Sequence, residues 1–358
     1  MPSSYSLLNQ DSKEPLIGGA ELQFTMIAKK LIHDFDISFA VYDHGQKSPE
    51  KIEGIDIFKL YSTLDFPKKN YLKILYSTFK ALKNANSNIY LTRSGRIPPA
   101  IIALYCFINR KKFVYSFASD IDVDLDTFNF LELILFKFAL NRANLLFTHT
   151  NFQKEKLKEN FGHNSFIIKS ACKLENNSNK KNKKLRILWV STIRRQWKNP
   201  ELYLKLASEF PDIQFIMIGG PDAEDPDFYA EIEKKCHNIH NMDFIGFVPY
   251  NEITHYFSKA SIFVNTSSVE GLPNTFLQSW GHCIPVLSIN VNPDNILTDY
   301  NLGFHSKTFE NMIDDLKNLI EDENLRNIMG NNGRKYVEKE HNIKIITNKY
   351  KKLLKSII

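Results

Sequence analysis

From residue 185 to residue 264 the apolar residues fall into short runs separated by amphipathic stretches of helical length, and this alternation constrains the fold more than any other feature. Residues 185–190, 213–218, 244–247 and 262–264 have the brevity and apolar content of buried strands. Residues 199–210, 227–237 and 252–260 lie between them and repeat with helical period. Strands that alternate with helices run parallel, because parallel neighbours need a crossover connection. The expectation is an α/β protein with a doubly wound parallel sheet over residues 185–340.

Directly after 262–264 comes Val269-Glu270-Gly271-Leu272-Pro273-Asn274-Thr275-Phe276-Leu277-Gln278-Ser279-Trp280-Gly281, closed by Ile284-Pro285-Val286-Leu287. Pro273 suits a first helical turn, where its missing N–H has no partner to lose and its φ is already helical. The amides of Asn274, Thr275 and Phe276 are then expected to point out of a helix start at the carboxyl end of a strand. An open α/β sheet binds anions such as a diphosphate there. The loop after 185–190 places Arg194, Arg195 and Lys198 at another carboxyl end. Arg offers phosphate oxygens a planar fork and Lys a compact charge.

These two stretches resemble the donor site of retaining GT-B glycosyltransferases, whose frame is of the type Glu-Gly-x-Pro…Glu-Ala…Gly-x-Pro-Val. Glu270, Gly271 and Pro273 match its start and Ile284-Pro285-Val286 its closing strand. Gln278 stands where the family has a second Glu. The resemblance implies that Glu270 contacts the donor sugar and that Gln278, which keeps an acceptor and adds a donor, faces the ribose. It also implies that Lys198, before Asn199-Pro200, clamps the diphosphate together with Arg195 or Arg194, Arg195 being preferred. Gly219, in Gly219-Gly220-Pro221, matches a strand-ending glycine that leaves room for the base. Pro293-Asp294 and Gly303-Phe304 match the punctuation after the donor site.

The resemblance extends from about Gly18 to the C-terminus and implies the GT-B fold, two Rossmann-like doubly wound domains facing a cleft. Residues 1–170 form the acceptor-side domain, 171–184 a lysine- and asparagine-rich mobile linker, 185–340 the nucleotide-sugar domain, and 341–358 a terminal helix crossing back to the first. In the first domain Gly18-Gly19-Ala20-Glu21 matches a glycine turn that brings backbone close to the donor phosphate and acceptor, with Gly19 the matched position. The strand that precedes such a turn is missing: residues 1–17 hold only Tyr5-Ser6-Leu7-Leu8, and the expectation is that the natural chain starts upstream. Asp120 matches the Asp of a His-Asp pair facing the transferred sugar, although Ser119 replaces the His.

Elsewhere in this domain residues 36–42, 55–60, 88–92, 112–117 and 144–149 read as strands, and 128–143 and 152–161 as helices. Asp120, Asp122, Asp124 and Asp126 alternate with apolar residues. Leu125 and Leu131 occupy positions where a calcium loop needs Gly and a bidentate acid, so the run reads as strand-to-helix linkage and no metal or other cofactor is implied. His149 reads as a locally satisfied side chain, and Cys236 with His240 lacks the second ligand pair of a zinc site.

The net charge is +6 over 358 residues, without a stacking module, which argues against nucleic acid as a partner. The basic residues concentrate between 66 and 119, a segment with no Asp or Glu. Its lysines alternate with Leu72, Leu75, Phe79 and Leu82 at helical spacing. That pattern fits docking on an anionic membrane through residues 68–112, or a solvated face packed on its own sheet. Four widely spaced cysteines without a CxxC pair fit a cytoplasmic, reduced setting. The implied activity is transfer of a sugar, with retention, from a nucleotide-diphosphate donor to a glycan or glycolipid hydroxyl in polysaccharide or cell-surface glycan synthesis. A GT-B nucleotide-sugar epimerase, or a non-catalytic sugar-nucleotide-binding partner subunit, stands as the alternative.

Overall fold

The computed structural model describes residues 4–8, 18–62, 71–95, 97–174, 184–222 and 225–358. The chain divides into two compact units, Met1–Ala171 with Ile343–Ile358, and Cys172–Asn342. Most of the expected linker, residues 175–183, lies outside the described residues, as do Lys68, Lys69 and Arg96.

Unit 1 runs through α1 (Tyr5–Leu8), α2 (Gly19–Leu31), β1 (Ser38–Val41), β2 (Glu50–Ile52), β3 (Ile55–Lys59), α3 (Tyr71–Ala85), β4 (Ile89–Thr92), α4 (Ile97–Ile108), β5 (Lys112–Ser116), α5 (Phe130–Arg142), β6 (Leu145–Thr148), α6 (Asn151–Phe161) and β7 (Phe166–Ile167). Its strands form two sheets, ordered β1-β3-β2 and β4-β5-β6-β7. All pairs are parallel except β2 with β3. That antiparallel hairpin is absent from the sequence expectation because Glu50-Lys51-Ile52 carries no apolar run. It is made by its turn, where Glu53 and Gly54 both take positive φ, as a two-residue primed turn requires. Among the described residues no strand precedes α2.

The aspartate run after β5 folds into two short 3-10 turns, Asp120–Val123 and Leu125–Thr127, the first closed by a capping box between Ser119 and Asp122. Asp122 and Asp124 therefore serve local backbone donors, as acids in a linkage at a helix start should. Buried aromatics fill the core between the β4–β7 sheet and its helices: Phe113, Tyr115, Phe117 and Phe136 are all essentially inaccessible. Tyr115 and Phe136 meet edge to face at 5.7 Å between ring centres, an arrangement favoured by the ring quadrupoles.

Unit 2 runs through β8 (Arg186–Val190), α7 (Arg195–Lys198), α8 (Pro200–Glu209), β9 (Gln214–Ile218), α9 (Pro226–His237), β10 (Met242–Gly246), α10 (Tyr250–Phe257), β11 (Ile262–Asn265), α11 (Asn274–Gly281), β12 (Val286–Ser288), α12 (Ile296–Asp299), β13 (Gly303–His305), α13 (Phe309–Glu321) and α14 (Glu323–Glu340). The last helix, α15 (Ile343–Lys355), belongs to unit 1, where Ile346 and Tyr350 pack with Ile27 and Leu31 of α2.

All six strands of unit 2 are parallel, in the order β10-β9-β8-β11-β12-β13. Alternate residues feed two cores: Ile187, Trp189, Phe215, Met217 and Val264 go to one face, and Leu188, Ile216, Ile218 and Phe263 to the other. A sheet covered on both faces needs such continuous apolar strands, which is why they were readable as short runs. The order reverses between β8 and β11. The loops leaving their carboxyl ends therefore flank the crevice where a sheet of this topology takes its ligand.

Candidate donor site

The loops after β8 and β11 are joined by specific bonds. Thr266, fully buried, donates its hydroxyl to the Lys198 carbonyl at 2.7 Å and accepts from the Trp189 indole at 2.9 Å. Asn199 Nδ2 donates to the Thr266 carbonyl at 3.2 Å, and the Ser268 amide to the Trp197 carbonyl at 2.7 Å. These contacts hold Trp197 and Asn199 in the left-handed region, at φ 67° and 45°. Such a conformation costs a non-glycine residue on the order of 1 kcal/mol or more, least for Asn, and persists only where its surroundings fix it.

This stitching delivers Lys198 to Glu270. The Lys198 ammonium lies 2.9 Å from Glu270 Oε1, both side chains about one-fifth exposed. The same oxygen accepts from Ser267 Oγ at 2.5 Å and from Asn265 Nδ2 at 3.4 Å. Asn265 Oδ1 in turn accepts from the Ser267 amide and from Ser288 Oγ. Glu270 is thus aimed by a buried polar set that the motif did not reveal. Its signal in the sequence is the polar run Asn265-Thr266-Ser267-Ser268 at the end of an otherwise apolar strand.

The two arginines go elsewhere. Arg194 makes a forked pair with the buried Asp222 after β9, Nε at 2.5 Å and Nη2 at 3.3 Å. Arg195, the preferred clamp, lies over the Phe228 ring at 4.2 Å and bonds Glu231 Oε2 at 3.1 Å, both on α9. Of the three cations in this loop, only Lys198 meets Glu270. The sequence overlooked Asp222 because the contact spans 28 residues.

At α11 the geometry differs from expectation by one residue. Pro273 is the N-cap, with an extended ψ of 133°, and the helix starts at Asn274. The Phe276 amide bonds the Pro273 carbonyl at 3.1 Å, and the Phe276 ring is buried against Phe263 and Trp280. The expected trio of outward amides is corrected accordingly: Phe276 spends its amide on the turn and its side chain on the core. Asn274, Thr275 and Gln278 are half-buried, and Gln278, four residues after Asn274, shares its helix face. Gly271 precedes this turn in a half-buried bend.

Gly219 is required for a reason internal to the protein. A Cβ there would come within 2.0 Å of the Ser191 carbonyl, because the Gly219 amide bonds Gly246 while the Ser191 amide bonds Ile218 and draws the two loops together. Room for a base is a weaker account than this backbone approach. A Gly219→Ala variant should lose about 2–4 kcal/mol of stability, read as a lower urea midpoint with an unchanged slope.

In unit 1, Gly19 is the exposed first residue of α2, and Asp120 accepts from Gln153 Nε2 at 2.7 Å. Gln153 Oε1 accepts from the His149 amide. His149 is buried with both ring nitrogens engaged, Nδ1 at 2.6 Å from the Ile168 carbonyl and Nε2 at 3.1 Å from Ser116 Oγ. A carbonyl can only accept, so Nδ1 carries the proton and Nε2 accepts from Ser116. Burial first, and the nearby Arg93 charge second, hold the ring well below its ordinary value of 6.5. A depressed folded pKa means that stability is complete above the unfolded value and declines as pH falls through about 6.5 toward the folded one. The loss approaches ~1.4 kcal/mol per pH unit. Thermal unfolding of the wild type should therefore show a steeper drop between pH 7 and 5 than that of His149→Gln. Arg93 itself is buried, so it is not part of the exposed basic face of residues 68–112.

Two Rossmann-like parallel-sheet units, one carrying paired loops at its switch point, define the GT-B fold of glycosyltransferases. Residues 172–336, nearly all of unit 2, match the family model described as glycosyl transferases group 1. Glycosyltransferase 1 domain-containing protein 1 of Xenopus tropicalis is 24% identical over 156 residues, which are 43% of this chain and 44% of that relative. The alignment thus spans less than half the length of the curated relative. Among solved structures, Anabaena HepE in complex with UDP and glucose superposes with a TM-score of 0.76 at 14% identity, covering 96% of this chain and 98% of that one. Sucrose-phosphate synthase of Thermosynechococcus elongatus gives a TM-score of 0.78 at 14% identity, covering 95% and 94%. A glycosyltransferase of Rickettsia africae gives 0.75 at 17%, covering 95% of each chain. At these identities the structural likeness establishes the fold.

Proposed function

We propose that the chain is a retaining glycosyltransferase that moves a sugar from a nucleotide-diphosphate donor to a hydroxyl of a glycan or glycolipid, in polysaccharide or cell-surface glycan synthesis. The observation that carries this reading is the Lys198–Glu270 pair at the switch point, 2.9 Å apart beside the start of α11. One group suits a leaving diphosphate and the other the hydroxyls of its sugar. HepE, a structural neighbour, has been captured with UDP and with UDP-glucose, which makes UDP-sugars the first donors to try.

In this mechanism Lys198 exchanges Glu270 for the diphosphate oxygens, and the freed carboxylate accepts from a sugar hydroxyl. The anomeric C–O bond breaks with its electron pair passing to the phosphate oxygen. The acceptor hydroxyl adds to the same face of the sugar and its proton goes to that oxygen. Fixed positive charge facing the oxygen where the electrons arrive lowers the barrier without a protein nucleophile. The proposed roles are thus Lys198 at the leaving group, Glu270 at the sugar, Gln278 at the ribose, and Asp120 with Gly19 on the acceptor side. Gly271 and the Asn274 and Thr275 region line the diphosphate. Arg194 and Arg195 reach it only by leaving Asp222 and Glu231. No metal or cofactor is assigned a role.

Two further features support a peripheral place at the cytoplasmic face of a membrane. Exposed apolar side chains stand beside lysines and arginines, Leu72 and Tyr76 with Lys73 and Lys80 on α3, and Phe107 and Ile108 with Arg110 after α4. All four cysteines are free thiols. No helix among the described residues is long and apolar enough to cross a membrane. Incubation with labelled UDP- and GDP-sugars tests the reading: slow release of nucleotide diphosphate and free sugar is expected with a matched donor. Accumulation of an epimerised nucleotide sugar would identify an epimerase instead, and saturable binding without turnover a non-catalytic partner subunit, which Gln in place of Glu at 278 also allows.

A further inference from the structure

From Ile97 to Ile108, α4 contains no charged residue at all. A helix that is apolar all round belongs in an interior, yet α4 has a side open to solvent. Its Ala100, Ala103 and Cys106 enter the core that also takes Phe136, Ala139 and Leu140 of α5. Leu104, Phe107 and Ile108 follow at the i, i+3, i+4 spacing of the outer face, and Ile108 is 61% exposed. The same pattern recurs on α5, where Phe130, Leu131 and Ile134 are 81%, 63% and 49% exposed. The two outer faces adjoin, because the helices share a core and the Arg142 guanidinium, at the end of α5, lies 4.0 Å over the Phe107 ring of α4. An apolar surface made by two neighbouring helices marks a place where something other than water belongs.

The charges beside it say what that is. Arg110 and Lys112 follow α4 and Arg142 ends α5, all three exposed, and no acid lies between residues 97 and 119. Glu132, the one acid of α5, is half-buried and accepts from the Asn129 amide in a capping box. Asp124 and Asp126 precede α5, a helix length of ~20 Å from Arg142. The surface therefore joins an apolar field to a cationic end. Two copies of the chain meeting through it would be related by a two-fold axis, which sets the same cations against the same patch and repels. An anionic bilayer answers both halves, with acyl chains for the apolar side chains and phosphates for the cations.

We propose that the α4–α5 face of unit 1 docks on an anionic lipid surface. Phe107, Ile108, Phe130 and Leu131 enter between the acyl chains, and Arg110, Lys112 and Arg142 stay at the level of the lipid phosphates, their stems lying along the apolar field. This rests on the peripheral placement proposed above and gives it a defined surface, one that includes α5, beyond the basic segment 68–112.

Cosedimentation of the full chain with vesicles tests this. Binding to vesicles of phosphatidylcholine with phosphatidylglycerol should be at least roughly tenfold tighter than to phosphatidylcholine alone, and should weaken as salt is raised. Phe130→Ser combined with Leu131→Ser should lower it by at least roughly tenfold. Ile328→Ser, an exposed apolar position on α14 of unit 2, should leave it unchanged. All three side chains are exposed, so both variants should melt with the wild type. Absence of vesicle binding, or equal binding by the double variant, would overturn the proposal. So would a dimer in size-exclusion chromatography that the double variant abolishes, which would make the face a contact between copies. Donor turnover measured without vesicles reports on the transferase reading separately. A chain that turns over donor and ignores vesicles overturns the docking face alone, and one that docks without turnover overturns the transferase and keeps the face.

Discussion

Replacing Lys198 with alanine should lower kcat by ~10²–10³, about 3–4 kcal/mol of transition-state stabilisation, while KM for the donor changes far less. The split follows from where the charge develops. In the bound donor the diphosphate is already anionic and its charge is shared among many contacts. When the anomeric bond breaks, a further charge appears on the oxygen that the proposed mechanism sets against Lys198. The variant should fold, because the pair is half-buried and Glu270 keeps its bonds from Ser267 and Asn265. The stability cost is about 1 kcal/mol, that of a partly screened ion pair. Lys198→Arg should recover only part of the rate, since a planar fork on a different stem does not reproduce a point charge. Steady-state kinetics beside a thermal melt decide the matter, and an unchanged kcat would remove Lys198 from the reaction.

How much of this was legible in the sequence depends on whether the determining contacts are local. The strands of unit 2 were readable because a sheet covered on both faces demands uninterrupted apolar runs, and β11 is buried throughout while β8 and β9 are buried at all but end positions. The coincidence of Lys198 with Glu270 was legible as topology: two loops leave adjacent parallel strands at the same edge. The destination of the arginines was not. Nothing in Arg194-Arg195 indicates that Asp222 and Glu231, on later elements, compete for the guanidinium groups. The buried amide and hydroxyls that aim Glu270 escaped because Asn265, Ser267 and Ser288 read individually as ordinary strand-end polar residues. Their function exists only where β11 and β12 lie side by side. Pro273 shows the limit of local rules: its φ of −62° suits the first helical position equally well, and only ψ reveals that it sits one residue earlier.

The second large effect concerns Glu270 and separates its two roles. Glu270 pairs with Lys198, so in the proposed mechanism a nucleotide diphosphate displaces a carboxylate before it uses the ammonium. Glu270→Gln keeps the shape and an acceptor for Ser267 or Asn265 but removes the charge that competes. Binding of UDP alone should then be unchanged or up to about fivefold tighter, the equivalent of ~1 kcal/mol from a released half-buried pair. Turnover should move in the opposite direction. A carboxylate that accepts from a sugar hydroxyl forms a charge-assisted hydrogen bond worth about 1.5–3 kcal/mol, and its loss predicts a fall in kcat/KM of ~10–150-fold. Calorimetry with UDP and kinetics with the matched UDP-sugar measure the two effects on one preparation. Opposite signs are specific to a residue that is both the counter-ion of Lys198 and the ligand of the sugar. A fall in both would make Glu270 a scaffold for the loop, and the assignment of the sugar contact would pass to another side chain at the start of α11.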